Sequence, residues 1–268
     1  LIMAPRSTQN NTKKVKKGKP PVPGPRSLSF FGFVLLFFVG LALMPISVGL
    51  VRSLLAAERA LNSPAFFGMS SAVGMFAFGF LLFGLMYSIF RIPALPYVFG
   101  HELTHVLFGL FSGARISDFK VRRDKGSVTV SQGGLLMVLS PYFFPIYLVI
   151  FLFLFWILSA LFPVHGSFAG NLLAGLVGVA WGFHFCFTLN AMLQRQTDLE
   201  IYGFFFSCSF ILLLNLVVLC IVFVVISPIG FREMASICRD VMADSLLWFW
   251  NHLWNFFWKL YSFMEKAK

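Results

Sequence analysis

Apolar residues occur in long runs rather than at strand or helix spacing, and charged residues gather in the breaks between the runs. Runs near 28–50, 66–90, 93–113, 134–162, 168–193 and 201–229 are each long enough for a helix that crosses a hydrocarbon core about 30 Å thick. The pattern predicts six transmembrane helices packed as one bundle. The breaks are Arg52 to Pro64, Arg91 with Pro93 and Pro96, Arg115 to Gly126, Pro163 to Gly166, and Arg195 to Glu200. Within the third break and beyond it, 116–131 reads as two short strands turning at Asp124 to Gly126, a β-hairpin. Glycines at 74, 79 and 84, and at 170, 175 and 178, would let helix backbones approach closely.

After the last run the periodicity changes. Between Asp244 and Lys266, Leu246, Trp250, Leu253, Phe257, Leu260 and Met264 recur at three-four spacing, with Asn255, Lys259, Ser262 and Lys266 opposite. Trp248, Trp250, Trp254 and Trp258 suit a helix lying at the level of the lipid headgroups. The expected architecture is an all-α polytopic membrane protein with a β-hairpin insertion. It divides into a basic arm over 1–26, a transmembrane domain over 27–230 and a C-terminal interfacial amphipathic helix over 231–268.

Composition narrows the class. Of 268 residues, 59% are hydrophobic and only 12% charged, against about 25% charged in ordinary soluble domains. A water-soluble enzyme, a disordered chain and a coiled coil are thereby excluded. Cys186, Cys208, Cys220 and Cys238 have neither metal-binding spacing nor a disulfide framework and are expected to pack as small hydrophobes.

The net charge of +11 is concentrated at the start, where Arg6, Lys13, Lys14, Lys16, Lys17, Lys19 and Arg26 stand among five prolines with no acid. Such an arm cannot bury apolar area and is expected to lie near anionic lipid headgroups. No aromatic residue interleaves with its charges, so nucleic acid is not an expected partner. The run after Arg26 is too long for a signal peptide and reads as a retained first span. The expected location is a bacterial cell membrane, crossed several times. Lysine and arginine bias puts the arm in the cytoplasm, and six spans would then place the hairpin outside despite Arg115, Lys120, Arg122, Arg123 and Lys125. A re-entrant segment, or hairpin charges held at the interface by Asp118 and Asp124, would reconcile the two.

Ionisable groups inside apolar runs are costly and mark function. The third run contains His101-Glu-Leu-Thr-His105. On a helix, positions four apart share a face, so both imidazoles can bind one Zn²⁺ while Glu102 reaches a metal-bound water as general base. That chemistry hydrolyses amides. The hairpin beyond could present an edge to which an extended peptide adds. A hydrolytic zinc usually takes a third protein ligand. Asp198 and His184 are the candidates, and helix rise favours His184, which lies about as deep from Arg195 as the two histidines lie from Arg115.

The combination resembles the site-2 protease family of intramembrane zinc metalloproteases, which carry H-E-x-x-H in one span, a hairpin after it and an aspartate ligand farther on in Asn-x-x-Pro-x-x-x-Leu-Asp-Gly. The resemblance covers Tyr97 to Ser207, and Asn190 and Asp198 keep the family's spacing of eight residues (198 − 190). Leu193, Thr197 and Leu199 stand where the family has Pro, Leu and Gly. The resemblance implies Asp198 as third ligand, Asn190 steadying substrate or oxyanion, His184 beside the site, and a membrane protein or peptide as substrate. Two readings compete: a non-catalytic metal or haem module, with His105 and His184 as axial ligands, and a transporter. No internal repeat supports the transporter.

Overall fold

The structure is a computed structural model that describes residues 28–61, 65–66, 69–122, 126–131, 133–194 and 196–266. The basic arm over 1–26 and the expected hairpin tip at Asp124 and Lys125 lie outside the described residues.

Helix α1 (Phe30–Ala60) is capped by Ser29, whose hydroxyl accepts from the Gly32 N–H at 3.2 Å. It continues ten residues past the expected end at 50 (60 − 50), with Arg52 and Arg59 exposed. A helix need not stop where apolarity stops; only the membrane does. The Glu58 carboxylate accepts from the backbone and, at 3.1 Å, from the hydroxyl of Ser70. Ser70 precedes α2 (Ser71–Ile89) and ends a minimal hairpin of β1 (Ala65–Phe66) and β2 (Met69–Ser70). That hairpin occupies the first residues of the expected second span.

Helix α3 (Leu95–Phe111) begins with Pro96 in its first turn, where a missing N–H costs nothing. It ends before Gly113, which adopts a positive φ of 73°. Strands β3 (Ile116–Val121) and β4 (Gly126–Val130) then pair antiparallel, with Val121 opposite Gly126 and an irregularity between Ile116 and Asp118. The hairpin expected after the third run is present.

The fourth run departs from expectation. It is two helices, α4 (Leu135–Phe143) and α5 (Ile146–Leu161), bent by 68° at Phe144 and Pro145. Pro145 has no N–H to continue α4, and a proline disfavours helical geometry in the residue before it. Helix α6 (Phe168–Leu193) is capped by Ser167; a short α7 (Thr197–Ile201) follows. Gly203, at φ 86°, turns the chain into α8 (Phe204–Ile226), and α9 (Phe231–Lys266) closes the order.

Four described helices, α1, α2, α6 and α8, are long and apolar enough to cross a membrane, and the bent pair makes five if it counts as one span. The architecture is mostly helical, with several helices that suit a membrane. The expected count of six is not met, because α3 has 17 residues and reaches only about 26 Å at 1.5 Å per residue.

Packing is closest between α2 and α6. A Cβ at Gly79 would strike the Gly175 carbonyl, and one at Gly178 the Phe76 carbonyl, so both backbones touch where side chains are missing. Leu148, Leu152 and Phe155 of α5 pack with Val177 and Trp181 of α6 and with Val222 of α8. A second cluster joins Met137, Leu139 and Tyr142 of α4 to Ala191, Leu199 and Ile211.

The last helix corrects a further expectation. It starts at Phe231, and its first half lies on α1: Gly49 faces Met242 and Ser245, and Ala57 clusters with Met234. The two helices therefore run antiparallel. Apart from Phe231, α9 exposes its aromatic residues from Trp248 onward, and it does so on more than one face, since Phe256 and Phe263 are as exposed as Trp254 and Trp258.

Candidate metal centre

The site assembles from α3, α4 and α7. One turn of α3 sets the His101 and His105 rings 5.0 Å apart between centroids. Their Nε2 atoms lie 4.0 Å and 3.7 Å from Asp198 Oδ2. Ligand atoms of these three residues fall within 4.8 Å of one another, the one such group among the described residues.

Hydrogen bonds orient His105 and Asp198, and a ring contact confines His101. His105 Nδ1 lies 2.9 Å from the Met137 carbonyl, which turns Nε2 toward the centre. That carbonyl is available because its helical donor would be the N–H of residue 141, and Pro141 has none. Tyr142, fully buried, donates its hydroxyl to Asp198 Oδ2 at 3.3 Å and sets its ring edge-on to His101. The Tyr142 carbonyl, freed by the bend after α4, accepts from Asn215 Nδ2 of α8 at 3.0 Å.

Asp198 sits in the first turn of α7, which is anchored by buried Leu199 and by the Ser207 hydroxyl donating to the Leu199 carbonyl at 3.0 Å. Burial alone would raise the Asp198 pKa. The hydrogen bond and charge of His105, the charge of His101 and the Tyr142 hydroxyl outweigh it and hold the carboxyl below its usual range. A carboxyl must be ionised to bind a metal.

Glu102 is buried beside the trio with the hairpin over it. A Cβ at Gly126 would come within 2.7 Å of Glu102 Cδ, so only glycine fits at the start of β4 as it stands. Glu102, His101, Gly126, Tyr97 and Asn190 line one cavity of about 530 Å³. Asn190 is exposed to it from the end of α6.

His184 is placed differently. It is buried on α6 and lines, with His101, Pro141 and Tyr147, a separate cavity of about 20 Å³. Its ring neighbours the Tyr142 carbonyl and Asn215, outside the group formed by His101, His105 and Asp198. Of the four candidate ligands, the structure thus brings three together. Sequence reasoning did not find Met137, Tyr142 or Gly126 at the site. The one available signal was Pro141, which had to free a carbonyl for some donor.

The donor set suits a small divalent cation. Tetrahedral zinc with bonds of about 2.0–2.2 Å separates its ligand atoms by roughly 3.3–3.6 Å. The two histidine-to-Asp198 separations, 3.7 Å and 4.0 Å, are a few tenths of an ångström wider than that spacing, and all three ligand atoms fall within 4.8 Å. Compared with protein-family models, curated proteins and solved structures, the chain matches none.

Proposed function

We propose that the chain is an intramembrane zinc metalloprotease that hydrolyses a peptide bond in a membrane-embedded or membrane-adjacent protein segment. The observation that carries this reading is the convergence of two imidazole nitrogens and a carboxylate beside a buried glutamate, with His101 and Glu102 on the wall of one cavity. His101, His105 and Asp198 would hold the ion and leave a fourth position open. Zinc bound there would make a water more acidic and polarise the substrate carbonyl.

Glu102 is the general base and acid. It takes a proton from the water that adds to the scissile carbonyl carbon, and returns it to the amide nitrogen as the C–N bond breaks. Asn190, in the same cavity, donates its amide N–H to the carbonyl oxygen, where negative charge develops. A carboxylate in the group, with His184 outside it, favours this chemistry over a bis-histidine haem site.

Metal analysis and cleavage of membrane-protein fragments by the detergent-purified chain test the reading. Wild type is expected to carry one zinc per chain. Glu102→Gln should keep the zinc and cut at least a thousandfold more slowly, whereas Asp198→Asn should lose zinc. A zinc-free wild-type protein, or unchanged cleavage by Glu102→Gln, would refute the assignment.

A further inference from the structure

The large cavity that Glu102 lines is also lined by three primary amides, Asn190, Gln194 and Gln196. None of the three side chains hydrogen-bonds to another described residue, and Gln196, although it stands at the N-cap of α7, does not cap that helix. Among the described residues that line the cavity, Glu102 is the one carboxylate and none is a lysine or arginine.

A peptide bond must leave its helix to be cut, and unwinding strips several backbone N–H and C=O groups of their partners. In a largely apolar setting each unpaired group costs a few kcal/mol. An amide side chain offers both a donor and an acceptor, so it can pair with either kind of backbone group whatever the sequence. The spacing also matches. Asn190 lies in the last turn of α6 and Gln194 is its C-cap, about 6 Å farther along the axis at 1.5 Å per residue. An extended chain presents backbone groups to one edge every second residue, about 6.6 Å apart.

We infer that Gln194 and Gln196, together with Asn190, form a main-chain docking site that holds the substrate as an extended segment in the cavity that Glu102 lines. The site selects for an unwound, uncharged stretch of polypeptide rather than for particular side chains. This inference rests on the protease reading and extends it to the substrate.

The test uses the full-length, zinc-loaded Glu102→Gln protein in detergent, which binds without cutting, and a fluorescent library of degenerate, unstructured twelve-residue peptides. The parent is expected to capture the library with little sequence preference. Gln194→Leu with Gln196→Leu should weaken capture at least tenfold while zinc content stays the same. The single variants should each show part of the loss, and Gln194→Asn should retain most of the binding. Peptides with backbone esters in place of amides should bind the parent more weakly and the double variant no more weakly still.

Undiminished capture by the double variant, no capture by the parent, or a loss confined to certain sequences would overturn the docking site. So would slower cleavage in the Glu102-containing double variant with capture unchanged, which would make the amides a route for water. These outcomes differ from failure of the protease reading, which shows as missing zinc or as cleavage that survives Glu102→Gln. Should the double variant lose zinc or helicity, the single variants decide, because each changes one side chain, at the C-cap of α6 or at the N-cap of α7.

Discussion

Tyr142 links two parts of the site that lie far apart in the chain. Its hydroxyl reaches Asp198 while its ring stands edge-on to His101, so one buried side chain orients the third ligand and confines the first. A hydrogen bond to a charged group contributes about 1.5–3 kcal/mol when well formed, and at 3.3 Å this one belongs at the low end. Tyr142→Phe is therefore expected to weaken zinc binding about tenfold in a chelator competition, with helicity unchanged. Unchanged affinity would mean that α7 alone positions Asp198. His101, Glu102 and His105 were legible in the sequence because their juxtaposition is local to one helical turn. Asp198 was one of two candidates for the third ligand; depth along α6 pointed to the other, His184, and the resemblance favoured Asp198. Tyr142 was illegible because its contacts depend on where α4 ends, and for Met137 Pro141 signals only a carbonyl without a backbone donor, not that His105 would reach it beside the Ser140 hydroxyl.

At the scale of elements, apolar runs located the helices but not their lengths. Hydropathy reports the solvent around a helix, whereas the end of a helix is set by caps, prolines and neighbours. Thus α1 runs on past the apolar stretch to Ala60, α3 is shortened by Pro93, Pro96 and Gly113, and the run over 134–162 breaks at Pro145. The glycine pattern at 74–84 and 170–178 was readable, and α2 and α6 do meet there through their backbones. Gly178→Leu would drive a side chain into the Phe76 carbonyl. It is expected to cost about 1–3 kcal/mol, as overpacking does, and to appear as a lower Tm for the detergent-solubilised protein. Gly84→Leu is the control, because a Cβ there meets nothing within 4 Å. Equal melting of the two variants would count against backbone contact as the source of the α2–α6 pairing.

For the molecule as a whole, the amphipathic pattern marked out only the second half of α9. The first half carries Arg232, Glu233, Arg239 and Asp240, which conceal a packing face of Met234, Met242 and Ser245 directed at α1. Two shortened chains separate the halves. Removing 248–266 is expected to shift the Tm by no more than a few degrees, since those residues are mostly exposed. Removing 231–266 uncovers Gly49 and Ala57, and burying a side chain such as Met234 alone contributes about 1.5–3 kcal/mol. The second deletion should lower the Tm far more; equal shifts would show that α9 does not brace α1.

The partners of α1 also set a timetable. Helix α1 packs on α8 and α9, and α8 begins 144 residues after α1 ends (204 − 60). At translation rates of about 5–20 residues per second, the first helix waits roughly 10–30 s for its neighbours to leave the ribosome. During that interval its small residues Gly40 and Ser47 on one side and Gly49 on the other are uncovered, and the membrane-insertion machinery must shield them from other nascent helices.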